Sequence, residues 1–273
     1  ALYTASEPAS VALLTSSSVI SREIEPGRTL ERLVPLADEL LCGAGILPGG
    51  LDGVALAEGP GSFTGLRIGA GTALGLARGG GAALFAAGTL HVWAAAALAQ
   101  VAAAAAGARS VPGPDGEAAE GSAQAGAAGA LWVVLDARRG ELYAAAFRQA
   151  ARDGSPRPRL VEGPLALPLG EASARLASAG VVVGDGRPML VRAGMDSALP
   201  GFERPDAPLA LALVRLAAAE PATYRRDAAT FFLEYLRQPQ AVGRRSAAAV
   251  SAVGGSAAGA GSAATEGRVD ANG

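Results

Sequence analysis

Glu58-Gly59-Pro60-Gly61-Ser62-Phe63-Thr64-Gly65-Leu66-Arg67-Ile68-Gly69-Ala70-Gly71-Thr72-Ala73-Leu74-Gly75-Leu76-Ala77-Arg78 is the stretch around which the chain is organised. Ahead of it, Val54-Ala55-Leu56-Ala57 is a short apolar run suited to a buried strand. Gly59-Pro60-Gly61 predicts a turn, because Gly reaches positive φ and Pro presets its own. Ser62 or Thr64 can cap a following helix by accepting from its free N–H groups. Residues 66–77 are helix-compatible, yet Gly65, Gly69, Gly71 and Gly75 each cost roughly 1 kcal/mol there relative to Ala. Such a helix fits two roles. Its N-terminus could hold a phosphate, or its small residues could admit another backbone at close range. No Gly-Lys-Ser/Thr follows, so it is not a Walker loop, and the dinucleotide pattern fails at Thr64. The residues favour packing.

Working outward, residues 1–6 and Val11–Leu14 predict a hairpin, with 19–25 as a third strand. Thr29 is expected to cap a helix carrying Leu30, Leu33, Leu36, Ala37, Leu40 and Leu41 at helical spacing, ended by Gly43 and Gly45. Thr89 is expected to cap the next, through Ala106. Leu131–Leu135 is a continuous apolar run fit for a central strand, followed by a turn and a returning strand from Leu142 to Phe147. A short helix over 173–178, a strand at Val181–Val183 and an amphipathic helix over 208–219 follow. Residues 112–129 and 243–273 are rich in Gly, Ala and Ser with almost no apolar bulk, and are expected to be a flexible insertion and a disordered tail.

The 273 residues carry no lysine, so all 23 basic residues are Arg; 25 acids bring the net charge to −2. That balance supplies no clustered basic footprint for independent nucleic-acid binding. The sole cysteine, Cys42, excludes internal disulfides and thiolate metal clusters, and its apolar neighbours predict burial. The sole histidine, His91, falls in the first turn of a helix, where surface or packing roles outweigh catalysis; one His with one Cys removes the usual zinc sites. Ser62 lacks the G-x-S-x-G elbow of a hydrolase nucleophile. The run 92–106, interrupted by Gln100, is too short for a membrane span of about 20 residues. No basic segment precedes the first apolar residues, so the chain is expected to be soluble and cytoplasmic.

Gly59-Pro60-Gly61-Ser62-Phe63-Thr64-Gly65-Leu66-Arg67-Ile68-Gly69 closely resembles the signature of the TsaB (YeaZ) family, of the glycoprotease-like (Gcp-like, M22) superfamily. Val133-Val134-Leu135-Asp136-Ala137-Arg138-Arg139-Gly140-Glu141-Leu142-Tyr143 resembles a second family segment, and Glu234-Tyr235-Leu236-Arg237 a closing one. The resemblance implies an α/β, two-lobed actin/Hsp70-like (ASKHA, ribonuclease H-like) fold with no active metal site. On that fold 1–110 would be the N-terminal lobe with dimerisation helices, 111–130 the flexible insertion, 131–242 a smaller second lobe and 243–273 the tail.

It also implies a non-catalytic scaffold in tRNA threonylcarbamoyladenosine formation, with TsaD as partner, TsaE within the complex, tRNA contacted indirectly, and a homodimer as the other pairing. ATP would be consumed by the complex, and this chain would hold no cofactor. Partner contact would fall on Gly61, Ser62, Phe63, Thr64, Gly65, Leu66, Arg67, Gly69, Ala70 and Leu74, and on Leu33, Leu36 and Leu40. A vestigial nucleotide site would comprise Thr4, Ser6 and Asp136. Where the family's first strand carries Asp-Thr-Ser/Thr, this chain has Tyr3-Thr4-Ala5-Ser6; where it often has a His at the first long helix, this chain has Thr29. The H-x-x-x-H metal motif of TsaD cannot occur with one histidine. The competing expectation is an ASKHA-type ATPase or a glycoprotease-like peptidase acting alone, which would need first-strand carboxylates and a metal motif.

Overall fold

A computed structural model describes residues 1–108, 130–149, 157–176 and 179–233. The expected insertion over 112–129, the tail from 243 and the Glu234–Arg237 motif lie outside the described residues. Two mixed sheets organise the rest. In the first, β1 (Leu2–Tyr3) and β2 (Ser10–Leu14) form the expected hairpin and β3 (Val19–Glu23) extends it. After α1 (Thr29–Gly43), β4 (Gly53–Ala57) pairs parallel to β1. α2 (Phe63–Gly80) then leads to β5 (Ala83–Ala87), parallel to β4. α3 (Thr89–Ala108) follows.

The second sheet holds β6 (Leu131–Arg138), β7 (Glu141–Gln149), β8 (Pro158–Pro168) and β9 (Val181–Val183), in the order β8-β7-β6-β9. Sequence reading had no strand at β8. Its run of Pro, Gly and Glu suits an edge, the only place where missing donors are tolerated. α4 (Leu169–Leu176) starts four residues earlier than expected, and α5 (Arg187–Arg192) follows β9. α6 (Leu209–Ala219), α7 (Pro221–Tyr224) and β10 (Arg225–Arg226) come last. β10 pairs with β5, so the chain returns to the edge of the first sheet, whose order is β10-β5-β4-β1-β2-β3.

Strand alternation divides the interior into three cores. Along β4, Val54 and Leu56 join α1 and α2 on one face, while Ala55 and Ala57 join α3 and α6 on the other. Along β6, Leu131, Val133 and Leu135 meet that same α3–α6 layer, while Trp132 and Val134 pack with α4 and α5. Successive side chains point to opposite faces, so each sheet is covered on both sides. The small residues on the α3–α6 side of the first sheet let those helices sit close. α3 is apolar all round because much of its length lies between two sheets.

Two expected caps are corrected. Arg28 occupies the cap position of α1 without a side-chain cap, and the Thr29 hydroxyl instead donates to Glu7 Oε1 (3.3 Å). Gly88 precedes α3, accepting from Val92 N–H (3.1 Å), and the buried Thr89 Oγ1 has no partner among the described residues. Cys42 is exposed, with its thiol 3.8 Å from Asp38 Oδ1, because the helix turns it away from the Leu40–Leu41 side. No helix among the described residues is long and apolar enough to cross a membrane.

Candidate functional site

Gly59 adopts φ 118° after β4, a value that only glycine adopts without strain, and its carbonyl accepts from Thr89 N–H (2.7 Å). The chain then turns along the first strand, and Ser62 N–H donates to the Ala5 carbonyl (2.7 Å). Ser62 Oγ accepts from Gly65 N–H (3.2 Å), so Ser62 rather than Thr64 caps α2. A Cβ on Gly61 would overlap the Ala5 carbonyl, one on Gly65 the Thr4 carbonyl, and one on Gly69 the Thr4 hydroxyl. The close approach expected of these glycines is therefore made by the chain's own segment just after β1, Thr4 and Ala5. Leu66 and Ala70 are buried on the same inward side. This corrects the expectation that Gly61, Gly65, Leu66, Gly69 and Ala70 face a partner: close packing inside the chain, for the glycines against Thr4 and Ala5, already occupies that side.

The outward side differs. Ser62, Phe63, Thr64 and Arg67 are exposed, Leu74 is half-buried, and nothing lies within 4 Å of a Cβ on Gly71 or Gly75. The Arg67 guanidinium stacks on the Phe63 ring at 3.8 Å from its centroid. On the adjacent α1, Leu33, Leu36 and Leu40 are buried and hold the helix to the sheet. The exposed large apolar residues of α1 are Leu30, 74 % exposed, and Val34, 57 % exposed. Sequence reasoning placed Leu30 on the core face and did not name Val34. Its signal was available, since 30 and 34 are one turn apart and offset from the 33-36-40 stripe.

Between the two sheets, Tyr3 is fully buried. Its hydroxyl is 2.8 Å from Ser6 Oγ and accepts from Trp93 Nε1–H (2.9 Å), and burial pushes its pKa well above the usual phenol value. A neutral aromatic thus fills the position where the family carries a carboxylate. Asp136 N–H donates to Asp185 Oδ1 (2.8 Å), and Asp136 Oδ1 accepts from Arg138 N–H (2.7 Å). Burial raises the Asp185 carboxyl above the ordinary range, against the opposing hydrogen bond from Asp136.

A cavity of about 220 Å³ here is lined by Glu7, Trp93, Asp185 and Glu203, among others. The three residues expected to form a vestigial nucleotide site do not converge. Thr4 turns its side chain toward α2, Ser6 is tied to Tyr3, and the Asp136 carboxylate is tied to its own turn. Arg138 and Arg139 take positive φ (67° and 57°) in that turn. Trp93 and Asp185 were missed. Val183-Gly184-Asp185-Gly186 has the same strand-to-acid transition as Leu135-Asp136, the one signal that could have flagged Asp185.

His91 packs edge-on against Phe147, with ring centroids 4.8 Å apart, and burial lowers its pKa. It is the packing histidine that its helical position suggested.

The family model described as "TsaD: tRNA N6-adenosine threonylcarbamoyltransferase" matches residues 27–111. Two relatives, each called tRNA threonylcarbamoyladenosine biosynthesis protein TsaB, match over 72 residues. The one from Haemophilus influenzae is 40 % identical and the one from Escherichia coli 38 %. Those 72 residues are 26 % of this chain, and cover 30 % and 31 % of the two relatives. Two solved structures match over 86 % of this chain and 97 % of theirs, at 26 % identity. One is YeaZ from Pseudomonas aeruginosa (TM-score 0.62). The other is a protein with similarity to peptidase YEAZ from the same organism (TM-score 0.63).

Proposed function

We propose that the chain, similar as it is to TsaB (YeaZ) proteins in sequence over 72 residues and in fold over most of its length, is a non-catalytic subunit of tRNA threonylcarbamoyladenosine biosynthesis that works by docking onto TsaD. The observation that carries this reading is the outward face of α1 and α2. Leu30, Val34 and Phe63 are exposed apolar side chains there, beside Gly71 and Gly75, which have no internal neighbour. Each such glycine costs roughly 1 kcal/mol in a helix. Gly65 and Gly69 return that through close packing on Thr4, whereas Gly71 and Gly75 have no return within the chain. A partner helix lying across this notched apolar face would supply it.

A scaffold role also agrees with the chemistry of the chain. The family model carries the name of a transferase, but one histidine cannot provide a paired-histidine metal motif. Tyr3 stands where a metal-phosphate carboxylate would be needed, and its hydroxyl is already engaged by Trp93 and Ser6. ATP use, catalysis and most of the tRNA contact would then belong to TsaD and TsaE, in the cytoplasm where tRNA is modified. The face that docks TsaD would pair two copies in its absence.

The test is co-purification with the cognate TsaD, comparing wild type with Gly75→Arg and Val34→Glu. Both positions are exposed, so the variants should fold and lose the complex. A wild-type chain that TsaD does not retain, or variants retained as well as wild type, would overturn the assignment. Gly69→Arg is unsuitable, since it collides with Thr4 inside the fold.

A further inference from the structure

A second cavity, of about 290 Å³, lies away from both the α1–α2 face and the Tyr3–Asp185 cleft. Its walls come from the turn at Gly59-Pro60, the start of α3, the β7–β8 pair and the segment leading into β10. Phe147, Leu160 and Pro164 give the lining apolar surface, and Glu58, His91, Thr223, Tyr224 and Arg226 give it polar groups.

Tyr224 lines this cavity and is 8 % exposed, yet its hydroxyl forms no hydrogen bond among the described residues and keeps some accessible surface. A buried phenol ordinarily finds a partner. Burial pushes its pKa up to about 12, so it stays a donor at any ordinary pH. His91 also lines the cavity, and its ring makes no hydrogen bond among the described residues, only the edge contact with Phe147.

The start of α3 adds donors. Ser62 caps α2, but the corresponding position of α3 is Gly88, which has no side chain to offer. Thr89 N–H is taken by the Gly59 carbonyl and Val92 N–H by the Gly88 carbonyl. The N–H groups of Leu90 and His91, both cavity-lining residues, have no acceptor among the described residues. The open end of a 20-residue helix therefore abuts the cavity.

The nearby acids are already compensated. Glu58 is held by Arg226 through two hydrogen bonds (2.8 and 3.3 Å), and Glu220 by Arg157 (3.8 Å). What remains is a surplus of unsatisfied donors beside an apolar wall, with no net negative charge to repel an acceptor.

We infer that this cavity is a binding site for a small organic carboxylate. The carboxylate is held by the Tyr224 hydroxyl and the first N–H groups of α3, and the apolar body rests on Phe147, Leu160 and Pro164. The occupant has the size of a single-ring or short-chain acid, since the cavity is at the lower end of small-molecule sites. The site is independent of the docking of TsaD, because none of its residues lies on the outward face of α1 or α2.

The chain carries its own reporter. His91 is the only histidine in the sequence, so its ring resonances are assigned without ambiguity. Titrating the full chain with sodium benzoate should shift them saturably at millimolar concentration, and benzamide, of the same shape without the charge, should bind about tenfold more weakly or less. Tyr224→Phe keeps the ring and removes the donor, and should weaken benzoate about tenfold, the weight of one hydrogen bond to a charged group.

Gly88→Ser places a cap on the free N–H groups. A Cβ there meets only the Gly59 carbonyl, at an ordinary 3.7 Å. This variant should fold at least as stably as wild type while losing benzoate affinity. No saturable shift, benzamide equal to benzoate, or both variants binding as wild type would overturn the site.

Discussion

The hydroxyl of Thr4 occupies the space that a Cβ on Gly69 would need, and one turn earlier the Thr4 carbonyl does the same at Gly65. One residue just after the first strand thus sets how deeply α2 sits on the sheet. Four residues of the same type on the same helix, Gly65, Gly69, Gly71 and Gly75, consequently have opposite fates.

The first prediction separates them. Gly69→Ala should destabilise the fold by about 1–3 kcal/mol through overpacking against Thr4. Gly75→Ala should stabilise it by roughly 0.5–1 kcal/mol, as helix propensity alone dictates at an open site. Urea midpoints of the two variants decide the matter, and equal shifts would contradict the packing described.

Tyr3 accepts the indole N–H of Trp93 at 2.9 Å in the core between the sheets. Tyr3→Phe leaves that N–H without a partner and should cost about 1–3 kcal/mol. Tyr3→Asp, which restores the carboxylate usual in the family, should be far worse, because a buried charge has no counter-ion there. It should unfold the chain rather than create nucleotide binding. Thermal melts with and without Mg-ATP test both statements.

Glu58 and Arg226 lie 168 residues apart in sequence and join the start of the α2 motif to β10. The Glu58 side chain is largely buried and that of Arg226 one-third exposed, so solvent screens the pair only in part. Glu58→Gln should cost about 1–2 kcal/mol and the double variant with Arg226→Gln less than the sum of the singles. A double-mutant cycle with zero coupling would show the pair to be incidental.

Burial holds the His91 imidazole below the ordinary histidine value, with Glu220 opposing. The unfolded chain, titrating at about pH 6.5, therefore takes up a proton at higher pH than the folded one. Stability rises with pH through the window between the two values and is lost as pH falls below about 6.5. In His91→Gln the loss of stability on acidifying through this range should be smaller than in wild type. Parallel curves in chemical denaturation at stepped pH would refute it.

The local grammar of the chain was legible in its residues. Ser62 or Thr64 before a glycine-interrupted helix announced a cap, the apolar run at Val54–Ala57 announced a buried strand, and Leu131–Leu135 announced another. These features depend on hydrogen bonds and side-chain periods within a few residues, which sequence spacing states directly. Family resemblance then supplied the architecture, through motifs that no period could generate.

Tertiary structure alone decided which side of α2 is inward, because Gly65 and Gly71 are the same residue and only the position of Thr4 distinguishes them. It also decided that Tyr3 meets Trp93, that Glu58 meets Arg226, and that Gly88 and Tyr224 border one cavity. It returned β10 to the first sheet and turned Cys42 out to solvent. Each of these depends on how separately specified elements are stacked, a long-range relation set by the packing of whole faces. The sequence determined the elements and their apolar stripes, and close packing of those stripes determined which polar groups were left facing a partner, a ligand or each other.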